Sequence, residues 1–146
     1  MPNRISRTTF RGKSAATTEF GKFRVALTRR IDPSLEKNAI RLPKEKSDMI
    51  CMKTALAQHA SLLTAMKRAG MEVVELPSDS LPDSVFVEDT VVVVDKVAMI
   101  TNPGAFSRRE ETVAIKAYLE TSLSTTLRVV QQVEGTLDGG DVLFTG

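Results

Sequence analysis

The sequence predicts an α/β fold, and three observations predict it. Apolar positions recur at helical spacing across residues 48–69. Apolar runs of strand length stand at 71–76, 91–94, 97–100 and 126–131. Finally, one order of elements occurs twice. Helix 48–69, strand 71–76 and the loop around Asp83 return as helix 108–122, strand 126–131 and the loop around Asp138, with Val73 and Val129 56 residues apart and Asp83 and Asp138 55 apart. A repeat of that period suggests a blade-like array whose units bury their faces on one another. An open α/β sandwich fits the same pattern.

Each element has its own local reason. Residues 23–27 alternate around Val25 and Leu27 as a strand does, and the polar stretch 29–46, broken by Pro33 and Pro43, has the length of a lid or binding loop. Ser47 or Asp48 caps the first helix, whose apolar positions are Met52, Ala55, Leu56, Leu62, Leu63 and Met66, with Lys67 and Arg68 before Gly70. A loop with Pro77 and Pro82 leads into a strand over 85–94. Asp95 and Lys96 then turn the chain into a hairpin of mostly buried strands, 91–94 against 97–100. Ser107 and Glu110 are spaced as a capping box, so a second helix is expected from Arg108 to about Ser122. Residues 135–141 form a glycine-rich turn, and 142–144 begin a further strand.

Composition narrows the function classes. The chain has 146 residues with 20 basic and 18 acidic side chains and 42% apolar residues, as one ordinary globular domain does. Five of the basic groups and only Glu19 among the acids lie in residues 1–23, leaving 15 basic and 17 acidic groups in the remainder. That balance is no nucleic-acid footprint. No apolar run approaches the roughly 20 residues of a membrane span. Residues 1–22 read as a disordered basic tail and 23–146 as the folded part. The tail's Arg, Ser and Thr content is also that of a mitochondrial targeting segment, but Pro2, Gly12 and the lack of a clear apolar stripe favour a solvated tail, and the single cysteine fits a reducing intracellular setting, expected to be cytoplasmic.

Three segments can carry chemistry. In LPDSVFVED, residues 81–89, the carboxylates Asp83, Glu88 and Asp89 fall within seven positions. Converging on one pocket they would suit a guanidinium, whose planar donors match carboxylate oxygens two at a time. A solvated acidic loop or an oxygen-rich metal site are the other readings. Arg108 and Arg109 open the expected second helix, where the macrodipole disfavours a cation unless it serves an anion site. Asp138 precedes Gly139 and Gly140, whose freedom at positive φ lets a sharp turn present an acid; a plain turn fits equally. Cys51 and His59, the sole members of their kinds, lie eight residues apart on one helix, so about 12 Å of rise separates them. They form no nucleophile–base pair.

LPDSVFVEDT, VVVVDKVAMIT, NPGAFSRREE and GTLDGGDVLFTG, in this order, resemble the dimethylarginine dimethylaminohydrolases from about Phe23 to Gly146. The resemblance implies a five-bladed pseudo-symmetric αβ propeller with its site in the central channel, of which this chain would form about two blades and a fragment. It implies that Asp83, Glu88 and Asp89 contact a substrate guanidinium, that Arg108 binds the α-carboxylate, that Ile40 takes the lid-loop position usually held by leucine, and that Asp138 orients a catalytic histidine. It further implies attack of a cysteine thiolate on the guanidinium carbon of a methylated arginine, loss of dimethylamine or methylamine, and hydrolysis to citrulline. No cofactor or metal is implied. The family's nucleophile, histidine and a further substrate arginine have no counterpart here, so the chain is expected to be inactive alone, with methylated arginine as small-molecule partner and a homodimer as one arrangement. A guanidinium-binding module without catalysis, and an arginine deiminase or amidinotransferase relative, are the alternative functions.

Overall fold

The computed structural model describes residues 23–41 and 49–143. The basic tail 1–22, the expected caps Ser47 and Asp48, and Phe144 lie outside the described residues. The architecture is α/β, with two strand–helix–strand units. In the first, β1 (Val25–Arg29) pairs in parallel with β2 (Glu72–Leu76), and the crossover holds α1 (Leu35–Asn38) and α2 (Met52–Arg68). In the second, β3 (Val91–Val94) pairs antiparallel with β4 (Val97–Ile100), and β4 pairs in parallel with β5 (Arg128–Gln131) through the crossover helix α3 (Glu111–Ser122). Parallel neighbours need such a crossover, whereas the hairpin needs only two residues. The repeat read from the sequence is therefore real, but each unit also includes the strand before its helix.

Local chemistry explains most of the element ends. α2 turns a half-buried stripe of Met52, Ala55, His59, Leu63 and Met66 inward, at steps of three and four residues. Leu56 and Leu62, expected on that stripe, are half exposed instead. The helix closes with the amide of Gly70 donating to Lys67 and that of Met71 to Met66, a Schellman arrangement that puts Gly70 at φ 87. At the hairpin tip Asp95 takes φ 50, which aspartate tolerates better than a β-branched residue does.

Several boundaries depart from expectation. β1 runs over 25–29 rather than 23–27, because its register matches Val25 to Glu72 and Arg29 to Leu76, and Thr28 Oγ1 donates to the Val74 carbonyl at 3.2 Å. The strand expected over 85–94 is interrupted by a 3₁₀ turn, Val87–Asp89, where the amide and hydroxyl of Thr90 both donate to the Val87 carbonyl. Thr126 and Leu127 both bond back to Leu123 in the turn that ends α3, so β5 starts only at Arg128. The capping box does not form: Ser107 lies inside a 3₁₀ turn, Phe106–Arg108, and α3 begins at Glu111, preceded by Glu110 in helical geometry with no side-chain cap bond. Val142 and Leu143 form no strand.

Val87, Ala98, Ile100, Ile115 and Leu119 make the buried core, and Leu27 and Leu76 of the first unit pack onto it with Val91, Tyr118, Leu127 and Val129. The hairpin is less buried than expected, since Val93, Val94 and Val97 stand at its exposed end. Burying a side chain such as Ile115 contributes roughly 1.5–3 kcal/mol. This core anchors the start of α3 and the end of β4, from which the polar site grows.

Candidate functional site

The acidic loop is shaped by its own backbone. The Leu81 carbonyl accepts from the Ser84 amide and hydroxyl, at 3.3 and 2.8 Å, and the Asp83 carbonyl accepts from the Phe86 amide at 3.0 Å. Thr101, at the end of β4, donates its hydroxyl to the Asp89 carbonyl at 2.7 Å. These bonds fix three acids in three different settings. Asp83 is buried, and both its oxygens face the amide of Ile40 at 3.1 and 3.3 Å. Asp89 points Oδ2 at Arg108 Nη1 at 2.7 Å and accepts the Gly140 amide on Oδ1 at 3.2 Å. Glu88 is exposed, with no side-chain partner among the described residues.

Arg108 is the hub. Its Nε donates to Glu111 Oε2 and Oε1 at 3.1 and 3.3 Å, and its Nη2 to Glu111 Oε2 at 2.9 Å. Nη2 also approaches the carbonyls of Phe86 and Asp83 at 3.3 and 3.4 Å, and the guanidinium lies 5.9 Å from the Phe86 ring centre. Of the five N–H donors an arginine carries, one on Nη1 is left unengaged among the described residues. Burial by itself would lower the Arg108 pKa, but the hydrogen bonds and charges of Glu111 and Asp89 outweigh it and raise it. Burial raises the pKa of Glu111, which is 1% exposed, and Arg108 opposes that shift. The neighbouring Arg109 takes a structural place instead, donating Nε to the Pro103 carbonyl at 3.2 Å beside the Phe106 ring.

Asp138 arrives from the other side. Leu137 pairs with Asn102 in an isolated antiparallel bridge, and Asp138 Oδ2 then accepts the Gly104 amide at 3.2 Å. Gly139 and Gly140 are needed here for proximity and not for positive φ, which neither adopts. A Cβ on Gly139 would collide with the Glu88 carbonyl, and one on Gly140 would lie 2.8 Å from Asp89 Oδ1. The turn Gly139–Asp141 thus packs directly on Val87–Asp89.

The structure therefore brings together Ile40, Asp83, Asp89 and Arg108, and seats Gly140 against Asp89. It does not converge three carboxylates on one empty pocket: of the three only Asp89 meets a guanidinium, that of Arg108, while the Asp83 carboxylate faces the Ile40 amide and Glu88 is exposed. Nor do the arginines open a helix: α3 starts after them with Glu111, an acid suited to the positive end of the dipole. Among the described residues no group of three histidine, cysteine or acidic side chains is placed to hold a metal ion. Sequence reasoning missed Glu111 and the amides of Gly104 and Gly140. The signal for Glu111 was present in its spacing of three from Arg108.

Behind the hub lies a second buried cation. Arg29 is 1% exposed and ion-paired with Asp79; burial lowers its pKa and the charge of Glu111 resists that shift. Cys51 and His59 stay apart from this network. Cys51 is the exposed residue preceding α2, its thiol pKa lowered by hydrogen bonding with Thr54, while His59 Nε2 faces Glu75 Oε1 at 3.5 Å.

The family model described as "N,N dimethylarginine dimethylhydrolase, eukaryotic" matches residues 30–145. A Streptomyces coelicolor protein named N(G),N(G)-dimethylarginine dimethylaminohydrolase is 43% identical over 123 residues, 83% of this chain and 46% of that protein. A Pseudomonas aeruginosa protein of the same name is 40% identical over 95 residues, 63% of this chain and 36% of that protein. The chain thus spans less than half the length of these curated relatives. Among solved structures, a histidine-to-glycine variant of a dimethylarginine dimethylaminohydrolase, in an adduct with S-methyl-L-thiocitrulline, superposes with a TM-score of 0.72 at 31% identity, covering 85% of this chain and 48% of that one. A cysteine-to-serine variant of the P. aeruginosa enzyme complexed with citrulline gives a TM-score of 0.69 at 33% identity, covering 82% and 46%.

Proposed function

Since the chain belongs to the dimethylarginine dimethylaminohydrolase family, we propose that it forms the guanidinium-recognising part of a hydrolase that converts Nω-methylated arginine to citrulline and a methylamine. The observation that carries this reading is the Asp89–Arg108–Glu111 constellation, partly buried at Asp89 and Arg108 and fully at Glu111, next to the buried Asp83. It already holds one guanidinium between carboxylates. In the working site Asp83, Glu88 and Asp89 face the substrate guanidinium, the remaining Nη1 hydrogen of Arg108 meets the α-carboxylate, Ile40 closes over the ligand, and Asp138 orients a histidine. The two strand–helix–strand units are two blades of a propeller.

In this reading neither Cys51 nor His59 supplies the chemistry. The thiol stands exposed before α2 and the imidazole is directed at Glu75, whereas covalent attack needs both within about 3 Å. The 146-residue chain therefore binds methylated arginine without turning it over. Titrating it with Nω,Nω-dimethyl-L-arginine in a calorimeter, with citrulline assayed in the same samples, tests this. Binding heat without citrulline is expected; citrulline release overturns the inactivity, and silence at millimolar ligand overturns the binding.

A further inference from the structure

We infer that Glu111 is a positioning residue, which orients the Arg108 guanidinium so that a single Nη1 donor is kept for a ligand carboxylate. The inference rests on the functional reading above and deepens it.

Glu111 is 1% exposed, and it grips Arg108 on Nε and Nη2, the two nitrogens of one edge. A guanidinium is rigid and planar, so holding that edge fixes the direction of Nη1. Nη1 then reaches Asp89 with one bond of 2.7 Å. Without Glu111, only the long Nη2 contacts to the Phe86 and Asp83 carbonyls and the Phe86 ring oppose a turn that presents two parallel donors to Asp89, the preferred geometry of an arginine–carboxylate pair. That would consume the donor meant for a ligand and saturate a carboxylate meant for a ligand guanidinium. Glu111 thus competes with Asp89 for Arg108 and limits their pairing to one bond. The other charged groups acting on it are Arg29, which favours its ionised form, and Asp83, which disfavours it.

The test compares the unsubstituted chain with Glu111→Gln and Glu111→Asp, using two ligands, Nω-methyl-L-arginine and its decarboxylated counterpart Nω-methylagmatine. Solvent exchange of the Arg108 Nε–H is followed by nitrogen-15 NMR in the absence of ligand. The unsubstituted chain is expected to prefer the carboxylate-bearing ligand, and Glu111→Gln to lose about tenfold of that preference, the worth of one charged hydrogen bond, while still binding the agmatine. The Arg108 Nε–H should exchange at least about tenfold faster, and Glu111→Asp, which keeps the charge on a shorter arm, should fall between. A Gln variant that weakens both ligands equally, or leaves the Nε–H protected, overturns the inference. If Glu111→Gln does not fold, Glu111→Asp decides by the same two readouts. An unsubstituted chain that binds neither ligand overturns the functional reading, and the Nε–H exchange then still decides whether Glu111 orients Arg108.

Discussion

The carboxylate of Asp89 joins two segments at once: Oδ1 accepts the amide of Gly140, 51 residues later in the chain, while Oδ2 holds Arg108. This double use demands glycine at the point of approach. Gly139→Ala sets a methyl against the Glu88 backbone carbonyl, which has no side-chain freedom with which to yield. A loss of about 1–3 kcal/mol is expected from such overpacking. Gly140→Ala meets only the mobile end of Asp89 and should cost less, shifting that side chain instead. Urea unfolding of the two variants checks the order.

Asp89→Asn keeps the shape of the side chain but removes the charge facing a largely buried Arg108. The expected loss is about 1–3 kcal/mol, that of weakening a hydrogen bond to a charged group inside the protein. Added salt should change it little. The Arg30–Glu75 pair is the control: Arg30 is 68% exposed, and Arg30→Ala should cost about 0–1 kcal/mol. Equal costs for the two variants would contradict the burial argument.

Ile115→Ala empties the centre of the core between Ala98, Ile100 and Leu119. About 2–5 kcal/mol should be lost, with the higher values if the cavity stays open. Val133→Ala, at an 87% exposed position, should stay within about 0.5 kcal/mol of the parent. Thermal unfolding of the pair is sufficient to compare them.

Two buried acids have pKa values displaced in opposite directions, Asp32 downward and Glu111 upward. The hydroxyl and amide of Ser34 bond to Asp32 Oδ1 at 2.6 and 2.9 Å and lower its pKa. That contribution is complete above the ordinary aspartate value of about 3.9 and is lost as pH falls through the folded value. Glu111, raised chiefly by burial, works the other way: its contribution is present at low pH and is lost as the group ionises with rising pH. Ser34→Ala should therefore flatten the loss of stability on acidification below about pH 4. Denaturant midpoints measured across pH 2.5–6, about the range over which carboxylates titrate, provide the check; an unchanged acid limb would mean Asp32 is not the group that titrates.

The parts legible in the sequence are those governed by short-range periodicity. The α2 stripe, the Val91–Val94 hairpin and the duplicated helix–strand order follow from spacings of two and of three to four residues. Asp89 and Arg108 were visible as a charged pair of segments, though not as partners of each other. The 3₁₀ turns at Val87–Asp89 and Phe106–Arg108 were not legible. The first depends on bonds from Thr90 and on Thr101 arriving from β4, and the second replaces a capping box whose Ser107 and Glu110 have ideal spacing but make no cap bond. The sequence pattern at Gly139 points to a sharp turn at positive φ, whereas its role is to let two backbones meet, which no local pattern encodes. Leu56 and Leu62 show the converse limit: apolar character alone did not put them on the inner face.

The bonds that define the site span long stretches of sequence: 43 residues from Ile40 to Asp83, 34 from Gly104 to Asp138 and 51 from Asp89 to Gly140. Each closes a loop whose entropic cost is met before any contact rewards it. The charged centre is accordingly expected to assemble late in folding. The Gly140 bond is the exposed one, on a different oxygen from the Arg108 pair, so it opens locally while Asp89 keeps its hold on Arg108. Amide exchange at Gly140 should then be faster than at the paired amides of β4, and a ligand that grips Asp89 would slow it.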